Sequence, residues 1–159
     1  MAAGGTSAAS DAAEVGHLGF EALFATQHMQ NQVTRLVDDA LARAHGTNLT
    51  GFELLSRLER LPADGASVRF LSDHVLLSPS RVSRVVDEFV RRGVLERGAS
   101  QQDGRLSLVR LTPEGREELA AMRATFDAAI EVHLLQRLTH EQVQALIEIG
   151  RAFGAPPCS

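Results

Sequence analysis

Residues Leu71 to Arg116 read LSDHVLLSPSRVSRVVDEFVRRGVLERGASQQDGRLSLVRLTPEGR, and the order of signals in that stretch decides the fold. A short helical pattern, Val68 to Val75, runs into its start. Ser78 then stands where a helix N-cap is expected, and Pro79 takes the first helical position, where its missing N–H costs nothing. From there Val82, Val85, Val86 and Phe89 recur at helical spacing and are predicted to face inward. Ser80, Arg81, Ser83, Arg84, Asp87 and Arg91 are left outside, and Gly93 ends the run. Two short strands follow, Val94 to Arg97 and Leu106 to Leu111, joined by a polar loop that holds the turn signal Asp103-Gly104. Helix, turn, helix and hairpin in that order predict a winged helix-turn-helix. That layout offers one helix to a major groove and the hairpin tip to the adjacent minor groove.

Outward from this stretch the chain reads as mainly α with a small β-hairpin wing, with about six helices in all. Leu18 to Ala44 carries Val33, Leu36, Val37, Ala40, Leu41 and Ala44 three and four apart. Leu49 to Leu61 is a second helix, started by Asn48 or Thr50 and ended by Pro62, and Ala63 to Ser67 form a polar link. Thr112-Pro113 opens a long helix through Leu119, Met122, Phe126, Ile130 and Leu134. Thr139 with Gln142 forms a capping box that starts the last one. Residues 1–16, rich in alanine, glycine and serine, read as a disordered tail, and 155–159 as a second tail. The terminal helices, 17–48 and 113–154, have apolar faces too broad for the intervening 49–112 winged region to cover. Their expected partner is a second copy of the same elements, giving a two-fold dimer base; the alternative is that they fold back on their own core.

Composition narrows the function. The net charge is -4, which argues against nucleic acid on its face. The charge is unevenly placed: Arg69 to Arg116 holds nine arginines against six acids, and the rest seven against fourteen. A basic segment on an acidic body suits contact with DNA at one end of the molecule. No run of 18 apolar residues exists to span a membrane, and the N-terminal residues do not read as a signal peptide, so a cytoplasmic location is expected. Cys158 is the single cysteine, which fits a reducing compartment. The six histidines are scattered without metal-ligand spacing, so no metal or cofactor is expected. No phosphate loop, nucleophile elbow or paired His-carboxylate spacing points to an enzyme.

The expected DNA-binding residues are Ser78, Ser80, Arg81, Ser83 and Arg84 on the helix, with Gln102, Asp103 and Arg105 on the wing. Serine hydroxyls and free N–H groups at a helix start can hold phosphate. Either arginine can address a guanine edge, and the sequence leaves open which one reads and which clamps the backbone. The competing reading of Arg84 is an ion pair with Asp87 or Glu88. Asp103 can hold Arg105 for a narrow minor groove, against the plainer reading of an exposed ion pair in a turn. Arg97 and Arg110 are expected to flank the hairpin or contact the backbone. The alternative function is an adaptor that uses the winged helix for protein contacts, without specific DNA binding.

At this point the segment resembles the MarR family of transcriptional regulators. The likeness rests on Leu71-Ser72, on LSPSRVSRVVDEFVRRGVLER from Leu77 to Arg97, on Asp103-Gly104-Arg105, and on LTPEGR from Leu111 to Arg116. It implies a homodimer, most often a repressor, that sets one recognition helix and one wing per subunit on a pseudopalindromic double-stranded DNA operator. In that pattern Arg84 is the recognition-helix arginine and Asp103 with Arg105 the wing pair. The resemblance also implies release by a small anionic or phenolic effector in a cleft lined by the first, second and fifth helices. His28, Gln32, Arg35 and Arg57 are the polar candidates there. The chain departs from the pattern at Leu76, where the family carries a glycine, and at Ser72, Arg81 and Gly104.

Overall fold

The computed structural model describes residues 5–62, 64–74, 78–99 and 107–154. Six α-helices and one hairpin follow in order: α1 (Gly5–His45), α2 (Leu49–Glu59), α3 (Val68–His74), α4 (Pro79–Arg91), β1 (Leu95–Ala99), β2 (Ser107–Leu111), α5 (Pro113–His133) and α6 (His140–Ala152). A 3₁₀ turn, Leu135–Arg137, lies between α5 and α6.

The helix boundaries follow from local chemistry. Gly46, at φ 63°, ends α1 in the left-handed conformation that glycine adopts without strain. Asn48 caps α2 by accepting from the Gly51 N–H, and Asp38 on α1 accepts the Leu49 N–H at 2.7 Å. Thr112 accepts from the Gly115 N–H to start α5, and its hydroxyl also reaches the Gly93 carbonyl at 2.7 Å. Thr139 and Gln142 form both halves of the expected capping box at α6.

Three features differ from the sequence reading. Residues 5–16, expected in a disordered tail, continue α1 back to Gly5. Small side chains leave nothing for a core, but alanine has the highest helix propensity, so core-forming power and helicity part company here. The polar link before α3 also joins the wing: Ala66 and Val109 exchange both backbone hydrogen bonds, at 3.0 and 2.8 Å, beside the antiparallel β1–β2 pair. The 3₁₀ turn after α5 was not anticipated; Leu134, at φ -121° and ψ -61°, leaves helical geometry and redirects the chain toward α6.

One core joins the winged region to the inner halves of α1 and α5. Val37 and Leu41 of α1, Leu54, Leu55 and Leu58 of α2, Leu71 of α3, Val82, Val86 and Phe89 of α4, and Leu119 and Met122 of α5 are all buried. The Phe52 and Phe126 rings stack with centroids 4.7 Å apart, tying α2 to α5. Ser72 is buried without penalty, because its hydroxyl donates to the Arg69 carbonyl at 2.7 Å. Gly115 is required by space: a Cβ there would collide with the Val94 carbonyl.

The outer parts of α1 and α6 are different. Val15, Leu18, Phe20, Leu23 and Phe24 are all exposed, and α6 buries no residue at all. Ile147, Ile149 and Phe153 add to that apolar surface, Phe153 at 89 % exposure. The fold-back alternative therefore holds for the inner halves of α1 and α5, and not for the outer part of α1 or for α6. No described helix is long and apolar enough to cross a membrane.

Phe89→Ala should lower the unfolding free energy by about 3–5 kcal/mol in urea titration, since a fully buried ring leaves a cavity. A loss below about 1 kcal/mol would contradict the packing described for it.

Candidate nucleic-acid interface

α4 has three of its apolar residues in the core, which turns Ser80, Arg81 and Arg84 to solvent with Ser83 half-buried beside them. Ser78 has the extended backbone of an N-cap, φ -64° and ψ 145°, but its hydroxyl does not cap the helix. It meets the Ser80 hydroxyl at 3.2 Å instead. The expectation of a side-chain cap thus fails, and both hydroxyls stand at the exposed end of the helix. There they are available to an outside acceptor or donor.

The carboxylates around α4 are already engaged. Asp87 accepts from Arg97 of β1 at 2.6 Å, and Glu88 pairs with Arg91. Glu96 accepts from Arg110 across the hairpin at 2.7 Å, so both strand arginines flank the hairpin as expected and are neutralised. Glu118 of α5 accepts from Arg92 at 2.5 Å. The competing reading of Arg84, a pair with Asp87 or Glu88, is therefore not realised. Among the described residues no carboxylate takes the guanidinium of Arg81 or of Arg84. Arg84 also borders an open hollow against Gly46, Thr47 and Asn48 of the α1–α2 turn.

The wing stem is ordered by strand pairing from Leu95↔Leu111 to Ala99↔Ser107. Its tip, with Gln102, Asp103 and Arg105, lies outside the described residues, as does Leu76 in the turn before α4.

The four residues expected at an effector cleft separate. His28, Gln32 and Arg35 line one cavity of about 420 Å³ with His133, Leu134 and Arg137. Arg35 is steadied by the Gln32 side-chain oxygen at 3.0 Å and by Asp39 at 3.6 Å. Arg57 is elsewhere, in a hollow of about 260 Å³ between α2 and α3 with Arg60, Leu61, Phe70 and Leu71. Near it, burial pushes the Glu53 carboxyl above the usual carboxylate range; the Arg57 charge opposes that shift and Asp38 adds to it. Sequence reasoning missed His133 and Arg137. His133 Nδ1 is buried without a hydrogen-bond partner among the described residues. The signal available was their place between the end of α5 and the Thr139 cap of α6, where the chain must turn. The Phe20, Phe24 and His28 rings stack along α1, with centroids 6.1 and 6.5 Å apart. Among the described residues no group of three or more His, Cys, Asp or Glu side chains is placed to hold a metal ion.

Comparison with known proteins agrees with this architecture. Residues 45–106 match the family model described as "MarR family". No curated protein matches the chain. Among solved structures, Sco3205, a MarR family transcriptional regulator from Streptomyces coelicolor in complex with DNA, is 26% identical. It covers 86% of this chain and 87% of its own, with a TM-score of 0.76. CouR from Rhodococcus jostii RHA1, bound to p-coumaroyl-CoA, is 24% identical, covers 86% and 93%, and has a TM-score of 0.70. A mutant MarR from E. coli complexed with operator DNA is 19% identical, covers 81% and 90%, and also scores 0.70. The resemblance read from Leu71 to Arg116 is thereby supported: residues 45–106 match the MarR family model, and the fold around them is similar to that of solved MarR family regulators.

Proposed function

We propose that this chain is a double-stranded DNA-binding transcriptional regulator that acts in the cytoplasm as a homodimer on a pseudopalindromic operator, as a ligand-responsive repressor. The observation that carries the reading is the pair Arg81 and Arg84, exposed on α4 with no carboxylate partner among the described residues. Four neighbouring arginines, Arg91, Arg92, Arg97 and Arg110, are held in ion pairs. A cation that no described carboxylate takes, next to so many that are taken, is suited to an anionic partner that arrives from outside. Arginine is the side chain that pairs bidentately with a guanine edge or a phosphate. Ser78, Ser80 and Ser83 supply backbone contacts that set the register, and the wing residues Gln102, Asp103 and Arg105 address the minor groove beside it. Relatives of the same fold have been solved with DNA. An adaptor without DNA binding has no use for two exposed guanidinium groups on one helix turn, and it would not show duplex binding that falls with salt.

The dimer reading rests on the exposed apolar faces of α1 and α6. Phe20 and Phe24 are 64% and 59% exposed, too much contiguous apolar surface for a chain that works alone. The effector reading rests on the cavity at His28, Gln32 and Arg35, whose second arginine is Arg137. Two guanidinium groups beside apolar Met29, Val33 and Leu36 suit a small carboxylate or phenolate with an apolar body. Arg57 is not assigned to that cavity.

Arg84→Ala should weaken binding to a duplex recovered by selection by about tenfold to a hundredfold in gel-shift titration, with the dimer intact. Unchanged affinity would remove Arg84 from the interface. Phe20→Ser with Phe24→Ser should shift sedimentation at micromolar concentration from dimer to monomer, and a persistent dimer would place the interface elsewhere. Benzoate or 4-hydroxybenzoate should lower the operator affinity of the parent protein and leave that of Arg137→Ala unaffected. An equal response in both would exclude this cavity as the effector site.

A further inference from the structure

Arg92 follows the last turn of α4 and contacts three helices. Its Nη2 donates to the carbonyl of His45, the last residue of α1, at 3.0 Å, and to Oε1 of Glu118 on α5 at 2.5 Å. The guanidinium lies over the ring of Phe89, 5.4 Å from its centroid. Phe89 is the residue that seats α4 in the core, against Gly51 of α2. The two acceptors differ in kind. The His45 carbonyl is one of the orphan carbonyls at a helix C-terminus, where the macrodipole favours a cation. The Glu118 carboxylate is a charged partner that shortens and strengthens the bond. A second link closes the same junction from the other side: the His45 ring Nε2 meets Thr125 Oγ1 of α5 at 2.9 Å. Arg92 thus joins the end of the exposed reading helix to the two helices that lead toward the apolar α1 and α6 faces.

We propose that Arg92 is a positioning residue that locks the setting of α4 to the α1–α5 pair, so that the angle of the reading helix follows the arrangement of those helices. This rests on α4 being the helix that reads DNA. Arg92 is not itself a DNA contact. Its guanidinium is engaged by the His45 carbonyl and by Glu118, and its side chain is 26% exposed, whereas no carboxylate among the described residues takes Arg81 or Arg84. Freeing Arg92 leaves the fold in place, since the core residues of α4 remain buried, and loosens the orientation in which Arg81 and Arg84 are presented. Specific contacts, which need the helix held at one angle, lose more from that looseness than backbone contacts do.

The test measures binding by fluorescence anisotropy to a selected operator and to a scrambled duplex of equal length, each over a salt series. The proteins are the parent, Arg92→Ala, Arg92→Lys and Glu118→Gln. Sedimentation and circular dichroism report the dimer and the fold. The expected result for Arg92→Ala is an intact helical dimer with about tenfold weaker operator binding, unchanged affinity for the scrambled duplex and an unchanged salt slope. Arg92→Lys, which keeps a cation for the His45 carbonyl, and Glu118→Gln, which keeps an acceptor for Arg92, should fall between. Loss of affinity on both duplexes, with a salt slope smaller by about one, would make Arg92 a phosphate ligand and overturn the proposal. Unchanged operator affinity in all three variants would overturn it as well. Should Arg92→Ala fail to fold, the other two variants decide the matter. A parent protein with no preference for any duplex would defeat the regulator reading first, and this inference with it, before any variant is compared.

Discussion

The seating of Phe89 determines what the rest of the molecule can present. The ring is 1% exposed, and a Cβ at Gly51 would come within 3.1 Å of it, so the tip of the Phe89 side chain lies tightly against the Gly51 backbone of α2. With Phe89, Val86 and Val82 fixed inward, the 3.6-residue period leaves no freedom in what faces out. Arg81 and Arg84 are exposed because their neighbours are buried. Rotating α4 about its axis to hide them would require pulling Phe89 out of the core, at a cost of several kcal/mol.

Charge is then distributed by geometry rather than by composition. The chain is acidic overall, yet Asp87, Glu88, Glu96 and Glu118 around α4 are each taken by an arginine at the end of α4 or on the hairpin. These exposed pairs add little to stability. Their effect is to leave a cationic helix face in an acidic protein. The Arg97–Asp87 pair also links the wing strand to α4, and Thr112 ties the other strand's exit to the Gly93 turn, so helix and hairpin form one body. Arg92 attaches that body to α1 and α5.

The parts legible in the sequence are those set by local chemistry. Pro79 after Ser78, the Gly93 stop, Thr112-Pro113 and the Thr139–Gln142 box each act within a single turn, and each boundary stands within a residue or two of its expected place. The exposed arginines were legible for the same reason, as the complement of an apolar stripe. What required the fold was pairing across distance. Asp87 and Glu88 lie within a turn of Arg84, but Arg97 and Arg91 hold them. Arg57 belongs to a helix expected at the effector cleft, but it faces α3, while His133 and Arg137 reach the cavity only through the turn at Leu134. The tail was misjudged because an absence of core residues was equated with an absence of helix.

The central claim is that two exposed arginines on a core-locked helix, with no carboxylate partner among the described residues and doubled by a two-fold dimer, read a duplex. Selection of binding sites from a pool of random duplex DNA tests it most directly. The account predicts enrichment of an inverted repeat with guanine in each half-site and half-site centres about one helical turn, ~10 bp, apart. A pool that stays unenriched through successive rounds, or that converges on a sequence with no two-fold symmetry, would contradict it.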